Sequence, residues 1–220
     1  MADFAAIRDL KQSLIRKPLA GAVLLADMAT ALPVKFTDTT GALVDLKIAG
    51  FESLGHVSKE GAPTFTPETE TSEVDSWGLL ESARTDIISR NTSIAWTGQE
   101  THRKNLELYH GRDLSTVKFD SVSGETEFTD PTDPAVIYHR AVFLGVDGAG
   151  SDAIYVIKLC PKFTVTDVAE QTWSQENAIE YAITGRAKID ETAGYAVKTI
   201  FAGPGWKARA LAAGFTASTP

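Results

Sequence analysis

The sequence predicts a mainly β fold, either a β-sandwich or a partly open barrel, with one short flanking α-helix. Glycine and proline cut the chain from Gly21 onward into short segments, the spacing of strands joined by turns. In the C-terminal half, apolar residues alternate with polar ones, as they do in half-buried antiparallel strands. The chain has 220 residues, 43% of them hydrophobic, which is enough for a sizeable core. We therefore expect one domain over 1–220, with 1–18 as an N-terminal helical arm and 204–220 as a C-terminal tail.

The N-terminal segment 3–16 has the spacing of one helical face. Its apolar residues Phe4, Ile7, Leu10 and Leu14 recur every three or four positions. Asp3 can cap this helix and Pro18 ends it. The helix either covers the core or is an arm that docks on a partner.

Segments 21–34, 42–51 and 54–61 follow as predicted strands. The next two predicted strands, 65–78 and 85–98, flank a turn and form a long hairpin. Its first strand carries Glu68, Glu70, Glu73 and Asp75 and offers no apolar row on either face. The return strand is also polar on both faces.

The stretch 101–111 predicts a helix of about ten residues. Thr101 is the expected N-cap, Leu106 and Tyr109 share a face, and Gly111 stands where a left-handed C-terminal residue is needed.

The pattern after residue 135 is strand-like again. Segments 136–146 and 153–160 flank a glycine-rich turn. In 178–189, Ile179, Tyr181, Ile183 and Ile189 share one face, against polar residues that include Thr184 and Arg186. A strand over 195–203 closes the predicted sheet. The segment 203–215 then forms a turn or a short helix.

Composition excludes several classes of function. Net charge is −8, with 29 acidic and 21 basic residues, and no basic run exists that could follow a phosphate backbone. Because Cys160 is the single cysteine, an internal disulfide is excluded, and we expect this residue to be buried as a small hydrophobic side chain. The sequence begins with no signal-like stretch, and no apolar run is long enough to span a membrane.

No catalytic, cofactor-binding or metal-binding residues are predicted. The four acids at 68–75 could in principle form a catalytic pair or a cation site, but no apolar neighbour would raise a carboxyl pKa for general-acid work. The histidines, His56, His102, His110 and His139, lack the spacing of a zinc site. The glycines of 145–152 lack the Lys-Ser/Thr of a phosphate-binding loop.

The residue pattern alone leaves two interpretations of the acidic strand open. It is an exposed edge whose carboxylates prevent edge-to-edge aggregation. Alternatively, it lines a hydrated channel on one face and packs against other subunits on the other.

Four phrases in order carry a resemblance: LGHVSKEG, ETETSEVDSWG, ARTDIISRNTSIAW and GQETHRKNLELYHG. Together they resemble the major tail (tail tube) proteins of long-tailed, siphovirus-type bacteriophages, particularly those of actinobacterial hosts. The resemblance covers roughly residues 17–206.

The resemblance implies a structural virion protein that is not an enzyme. Its long hairpin would join those of neighbours in a multi-subunit inner β-barrel, with six copies per ring and rings stacked into a tube. The implied partners are other copies of the chain, the tape measure protein, the tail terminator, and distal tail or baseplate proteins. Double-stranded DNA would pass through without specific binding. Assembly would occur in the host cytoplasm without a membrane. The alternative is a monomeric β-sandwich that serves as a binding or virion decoration module.

Within this implied tube, some of Glu68, Glu70, Glu73 and Asp75 are expected to face the lumen. An acidic wall would not adsorb DNA, whereas a basic wall would bind it through counterion release. Arg84 and Arg90 on the return strand are the expected partners of these acids, across the hairpin or across a subunit boundary.

Overall fold

The fold is dominated by one antiparallel β-sheet, which confirms the mainly β prediction. The computed structural model describes residues 3–133 and 135–217. Within them the strands are β1 (Ala20–Asp27), β2 (Glu52–Ser53), β3 (Thr64–Val74), β4 (Arg84–Gly98), β5 (His139–Asp147), β6 (Ile154–Val168), β7 (Tyr181–Lys188) and β8 (Lys198–Ala202). The helices are α1 (Phe4–Arg8), α2 (Arg103–His110) and α3 (Pro204–Arg209). Strand order is β2-β1-β5-β6-β7-β4-β3, and β8 also pairs with β6.

The long strand β6 organises the sheet. Along one edge it pairs with β5, through residues Ile154–Phe163. Along the other edge it pairs first with β8, through Tyr155–Leu159, and then with β7, through Lys162–Val168. Strands β7 and β8 therefore lie end to end beside β6. On the β5 side, β6 has no strand partner beyond Phe163 in the described part of the chain.

The sheet curls around an aromatic centre. Phe65 of β3 meets Phe143 of β5 at a ring-centroid distance of 5.2 Å, although four strand steps separate these strands in the sheet order. Trp96 of β4 also contacts Phe143, at 5.5 Å. The sequence predicted either a β-sandwich or a partly open barrel. The described residues form one curled sheet, as in a partly open barrel, and not two separate sheets. Its concave face contains the first apolar cluster, to which β1, β4, β5, β6, β7 and α2 contribute.

A second apolar cluster covers the other face of β1, β5 and the first half of β6. Leu24 and Ala26 point into this cluster, whereas Val23 and Leu25 of the same strand point into the first. The covering segment contributes Phe36, Leu46 and Phe51 among its buried residues. The strand predicted over 42–51 is wrong, because these residues form turns stabilised by Asp38 and Asp45 side chains that accept backbone hydrogen bonds. Segment 54–61 is likewise a loop with one isolated bridge at Val57.

The other predicted strands are confirmed with shifted ends. The long hairpin is β3 and β4, and the C-terminal pattern forms β5 to β8. Strand β5 begins at His139 and not at residue 136. In β7 the alternation places Tyr181 and Ile183 in the core, as predicted, but Ile179 precedes the strand and Ile189 is exposed.

Helix α2 is confirmed, with a different cap. His102, not Thr101, is the N-cap, and its ring nitrogen accepts the Lys104 N–H. Thr101 instead shares a hydrogen bond with the Tyr181 hydroxyl at 3.0 Å. Gly111 ends the helix with φ +60°, as predicted.

The helix predicted over 3–16 is wrong in extent. Helix α1 ends at Arg8, Asp9 takes a left-handed φ of +38°, and a separate 3-10 turn covers Gln12–Leu14. Phe4, Ile7 and Leu10 are each 69% exposed. A short helix without an apolar surface to pack against is marginal in water, so the spacing alone does not sustain three turns.

The C-terminal segment forms the predicted short helix, α3. Trp206 stacks on Phe201 of β8 with ring centroids 4.9 Å apart. Among the described residues, no helix has the length and apolar character needed to cross a membrane. The division into a single domain with an arm at 1–18 and a tail at 204–220 stays a prediction.

Candidate functional site: the distal hairpin

The hairpin of β3 and β4 extends beyond the rest of the sheet. Strand β4 pairs with β7 only over Thr92–Gly98, whereas its pairing with β3 continues to Arg84. We call residues 68–91 the distal hairpin. It is two-stranded, since β3 is the last strand in the sheet order. From Thr69 to Ile88 every residue is exposed except Ser82, which is half-buried.

The pairing register assigns the side chains to two faces. Phe65 lies opposite Ile94, and both pack in the first apolar cluster, so they mark the core-side face. Because side chains alternate along a strand, Thr66, Glu68 and Glu70 point to the opposite face. Their cross-strand neighbours are Ser93, Asn91 and Ser89. We call this opposite surface the polar face.

The polar face continues across β7. Arg186 pairs in register with Ser93, and Thr184 with Ala95, so both side chains lie on the same side of the sheet as Glu68. Elsewhere in the molecule, segment 28–51 covers β1, β5 and β6 through the second apolar cluster. Among the described residues, no such segment covers the polar face with an apolar cluster. The polar face is therefore a continuous surface of hydroxyl, amide and a few charged groups.

The structure separates the four acids that the sequence groups together. Glu68 and Glu70 lie on the polar face, but Glu73 is opposite Thr85 on the core-side face. Asp75 belongs to the turn after β3. Of the four acids, only Glu68 and Glu70 therefore lie on the polar face that continues across β7.

Two of these acids have partners within the chain. An Arg186 guanidinium nitrogen lies 3.4 Å from a Glu68 carboxylate oxygen, across β4. The Ser89 hydroxyl donates to Glu70 at 3.0 Å. Sequence reasoning placed Arg186 on the polar side of its strand, but it missed the ion pair, because the pair depends on the register of three strands.

The two predicted arginine partners behave differently. Arg84 pairs with Asp86 of its own strand at 2.7 Å and with none of the four acids. Arg90 lies opposite Thr69 on the core-side face, and the described residues contain no ion-pair partner for it. A partner across a subunit boundary stays a prediction for both.

Apolar side chains on the distal hairpin were missed by the sequence reasoning. Trp77 and Leu80 at its tip are fully exposed, and Ile87 and Ile88 on β4 are 68% and 66% exposed. A bulge between Glu70 and Thr71 sets Ile87 opposite Thr71 on the core-side face and leaves Ile88 without a register partner. The available signal was the adjacent apolar pairs at 79–80 and 87–88 within an otherwise polar stretch. Such a set of exposed apolar groups is typical of a contact surface.

The hairpin offers no arrangement that resembles a metal or catalytic centre. Among the described residues, no group of three or more His, Cys, Asp and Glu side chains is placed to hold a metal ion. The single thiol, Cys160, is fully buried, and burial raises its pKa to about 12. It therefore packs as the small hydrophobe that the sequence predicts.

Comparison with known proteins decides the family. The family model of the phage tail tube protein matches residues 9–195 of the chain. The chain belongs to the phage tail tube protein family. It is a structural protein of the virion tail, as the resemblance implied.

Two solved structures are similar to this tail tube protein. One is the virion of a native gene transfer agent particle, and the other is the tail of an empty gene transfer agent particle, refined with C6 symmetry. Each is 16% identical, with a TM-score of 0.36, over 71% of this chain and 92% of the other. A search of curated protein sequences gave no match.

A second group of charges in this tail tube protein holds α2 against the sheet. The Lys104 ammonium lies 3.0 Å from Glu107 and 3.1 Å from Asp27 at the end of β1. Lys104 and Glu107 are 5% and 4% exposed. Burial works against the charge on Lys104, but hydrogen bonds to Glu107 and Asp27 outweigh it and raise the Lys104 pKa. Glu107 also accepts the Leu114 N–H and pairs with Arg103.

Proposed function

We propose that this tail tube protein assembles into stacked hexameric rings, and that the distal hairpins of neighbouring copies form the inner wall of the tube. The observation that carries the proposal is the exposure of both faces of the distal hairpin, beyond the last strand that pairs with it. An isolated two-stranded hairpin is marginally stable in water. Contacts with neighbouring hairpins would supply the stabilisation that the chain itself does not.

Different surfaces of the hairpin would take different roles. The apolar Ile87 and Ile88 would be buried against an adjacent copy, while the polar face with Glu68 and Glu70 would face the lumen. Double-stranded DNA would pass along this wall without specific binding, after the tape measure protein has left. The tail terminator and the distal tail or baseplate proteins would bind the two ends of the tube.

The acids would act at short range. At physiological ionic strength, charges are screened over about 8 Å, so lumenal carboxylates would prevent adsorption on contact. The pairing of Glu68 with Arg186 leaves Glu70, whose described partner is a neutral hydroxyl, as the less compensated charge. The wall would thus be weakly acidic, and its Ser, Thr and Asn groups would remain hydrated.

The test is assembly of the purified protein, observed by negative-stain electron microscopy over a series of concentrations. Rings or tubes with a central channel are expected for the natural sequence. The double variant Ile87→Asp with Ile88→Asp should stay monomeric, because assembly would bury two carboxylates. Its circular dichroism and melting temperature should remain close to those of the parent, since both positions are exposed.

The matched control is Val122→Asp, an equally drastic change at a residue that is 95% exposed outside the hairpin. It should assemble normally. A parent protein that stays monomeric at every concentration would favour the alternative, a monomeric decoration or binding module. Tubes formed equally well by the hairpin variant would contradict the role given to the hairpin.

A further inference from the structure

An open cavity lies where β6 loses its partner on the β5 side. It has a volume of about 410 Å³ and lies between residues 164–168 of β6, the C-terminal half of α2, and residues 135–139. Leu108, Val136, Val165 and Val168 are among its apolar lining. This volume falls in the range of sites that hold a ligand or a few side chains, roughly 300–1,000 Å³.

One residue that lines this cavity has a buried polar atom without a partner. His139 lines the cavity and is 6% exposed, and its Nδ1 atom is buried without a hydrogen bond. A buried polar group without a partner costs free energy.

Residues 3–10, the outer part of the predicted 1–18 segment and called the arm from here on, carry a row of apolar side chains with no described surface to cover them. Phe4, Ile7 and Leu10 recur at helical spacing, and each is 69% exposed. The arm also carries a cation, Arg8, whose guanidinium lies over the Phe4 ring at 5.6 Å. At the cavity mouth Asp167 is exposed, and the described residues include no ion-pair partner for it.

The arm and the cavity lie at opposite ends of the sheet. The root of the arm is fixed beside the end of β5, where Arg16 pairs with Asp147 at 3.1 Å and the Leu19 N–H donates to Val146 at 3.0 Å. The cavity lies at the far end of β6, a strand of 15 residues. At about 3.3 Å per residue, this strand is roughly 45 Å long.

In the described conformation, residues 3–10 do not line the cavity of their own chain. Residues 3–10 include the five-residue α1, so they span only about 20 Å. Lys11, at the base of the arm, is also held near Ala212 by a 3.5 Å hydrogen bond. A second copy stacked end to end would have its arm next to this cavity, because the arm and the cavity lie at opposite ends of the sheet.

We propose that the arm of one copy docks in the cavity of the next copy along the tube axis, with Ile7 and Leu10 against Val136 and Val165 and Arg8 beside Asp167. This inference rests on the proposed function, because it assigns the contact between stacked rings. The occupant is therefore a second copy of this chain. The contact is heterologous, so it repeats along the tube without closing on itself.

Disulfide trapping between separately labelled copies tests the contact. Two single variants, Ile7→Cys and Val136→Cys, are purified, mixed under assembly conditions and oxidised with diamide. The native thiol does not compete, because Cys160 is fully buried. A covalent dimer that contains one copy of each variant is expected on a denaturing gel. The pair Ile7→Cys with Val122→Cys is the matched control and should give little dimer.

Charge exchange provides the second arm of the test. Arg8→Glu and Asp167→Arg should each shorten the tubes seen by microscopy, by about tenfold or more in mean length, and the double variant should recover part of that length. Single hexameric rings should persist in every variant. Equal cross-linking with the control, or tubes of unchanged length in both single variants, would overturn the arm contact while the tube function stands. A parent protein that forms no ring at all would overturn both.

Discussion

At the scale of the residue, His139 is a buried imidazole with an unusual environment. Burial, together with the nearby Lys104 ammonium, lowers its pKa below the ordinary value. The carboxylates of Asp27, Glu107 and Asp113 act in the opposite direction but do not outweigh these effects. The side chain is therefore neutral at pH 7, and protonation in the folded state is disfavoured.

The lowered pKa makes the stability of the subunit depend on pH. The unfolded chain binds the proton at the ordinary histidine pKa of about 6.5, more tightly than the folded chain does. The contribution of His139 to stability is thus complete above about pH 6.5 and is lost as pH falls from there toward the folded pKa. The variant His139→Gln should show a smaller loss of unfolding free energy between pH 7.5 and pH 5. Urea unfolding at the two pH values measures this, and equal losses in parent and variant would contradict it.

At the scale of the element, α2 is fixed by buried charges more than by apolar packing. Its buried residues are Lys104, Asn105, Glu107 and Leu108, so three of the four are polar. The Asn105 amide donates to the carbonyls of Leu54 and Glu100 at 3.0 and 2.8 Å. The helix therefore ties the end of β1, the loop at residue 54 and the end of β4 together.

Removing one member of this ionic group should be costly. Glu107→Gln leaves the buried Lys104 ammonium with Asp27 alone and weakens the acceptor for the Leu114 N–H. Loss of one partner from a buried pair typically costs about 3–5 kcal/mol. The matched control is Glu52→Gln, which touches Arg103 at 3.2 Å through a carboxylate that is 46% exposed. It should cost about 0–1 kcal/mol. Chemical denaturation compares the two, and equal costs would argue against a buried ionic anchor.

The long hairpin, helix α2 and segment 42–51 differ in how much of their structure the sequence predicts. The hairpin was predictable because its central turn and the two strand-like segments that flank it are local features of residues 65–98. The alternation along β3 already divides Glu68 and Glu70 from Glu73, but the ion pair of Glu68 with Arg186 was not predictable, since it depends on the register of β3, β4 and β7. The sequence predicted that α2 packs through Leu106 and Tyr109. Its buried face is a different one, because Lys104 on that face pairs with Asp27 of β1. Segment 42–51 has the composition of a strand, but it forms turns, and its apolar residues pack in the second cluster.

At the scale of the whole molecule, the polar face would decide what the proposed tube wall presents to DNA. In the proposed ring, Glu68→Lys with Glu70→Lys reverses the wall charge and repeats that reversal sixfold in every ring. DNA phosphates would then release counterions at the wall and adsorb to it. Virions that carry this double variant should keep normal tails but release DNA at least about tenfold more slowly. Dye fluorescence after triggered ejection from purified virions gives the rate.

Glu73→Lys is the control for this experiment, because Glu73 lies in the same strand but on the core-side face. Its virions should release DNA at the parent rate. Unchanged release from the double variant would remove the lumenal role of the polar face. Slow release from the Glu73 variant alone would assign the lumen to the other side of the hairpin.

The two-stranded extension of the hairpin also has a kinetic consequence. In the proposed ring, a copy that meets a single neighbour covers one side of its distal hairpin, whereas a copy that joins a partly built ring covers more. The first associations therefore stabilise the hairpin least, and the last associations stabilise it most. Growth on an existing ring is then expected to be faster than the start of a new tube, so assembly of the purified protein should begin after a lag that added preformed rings shorten.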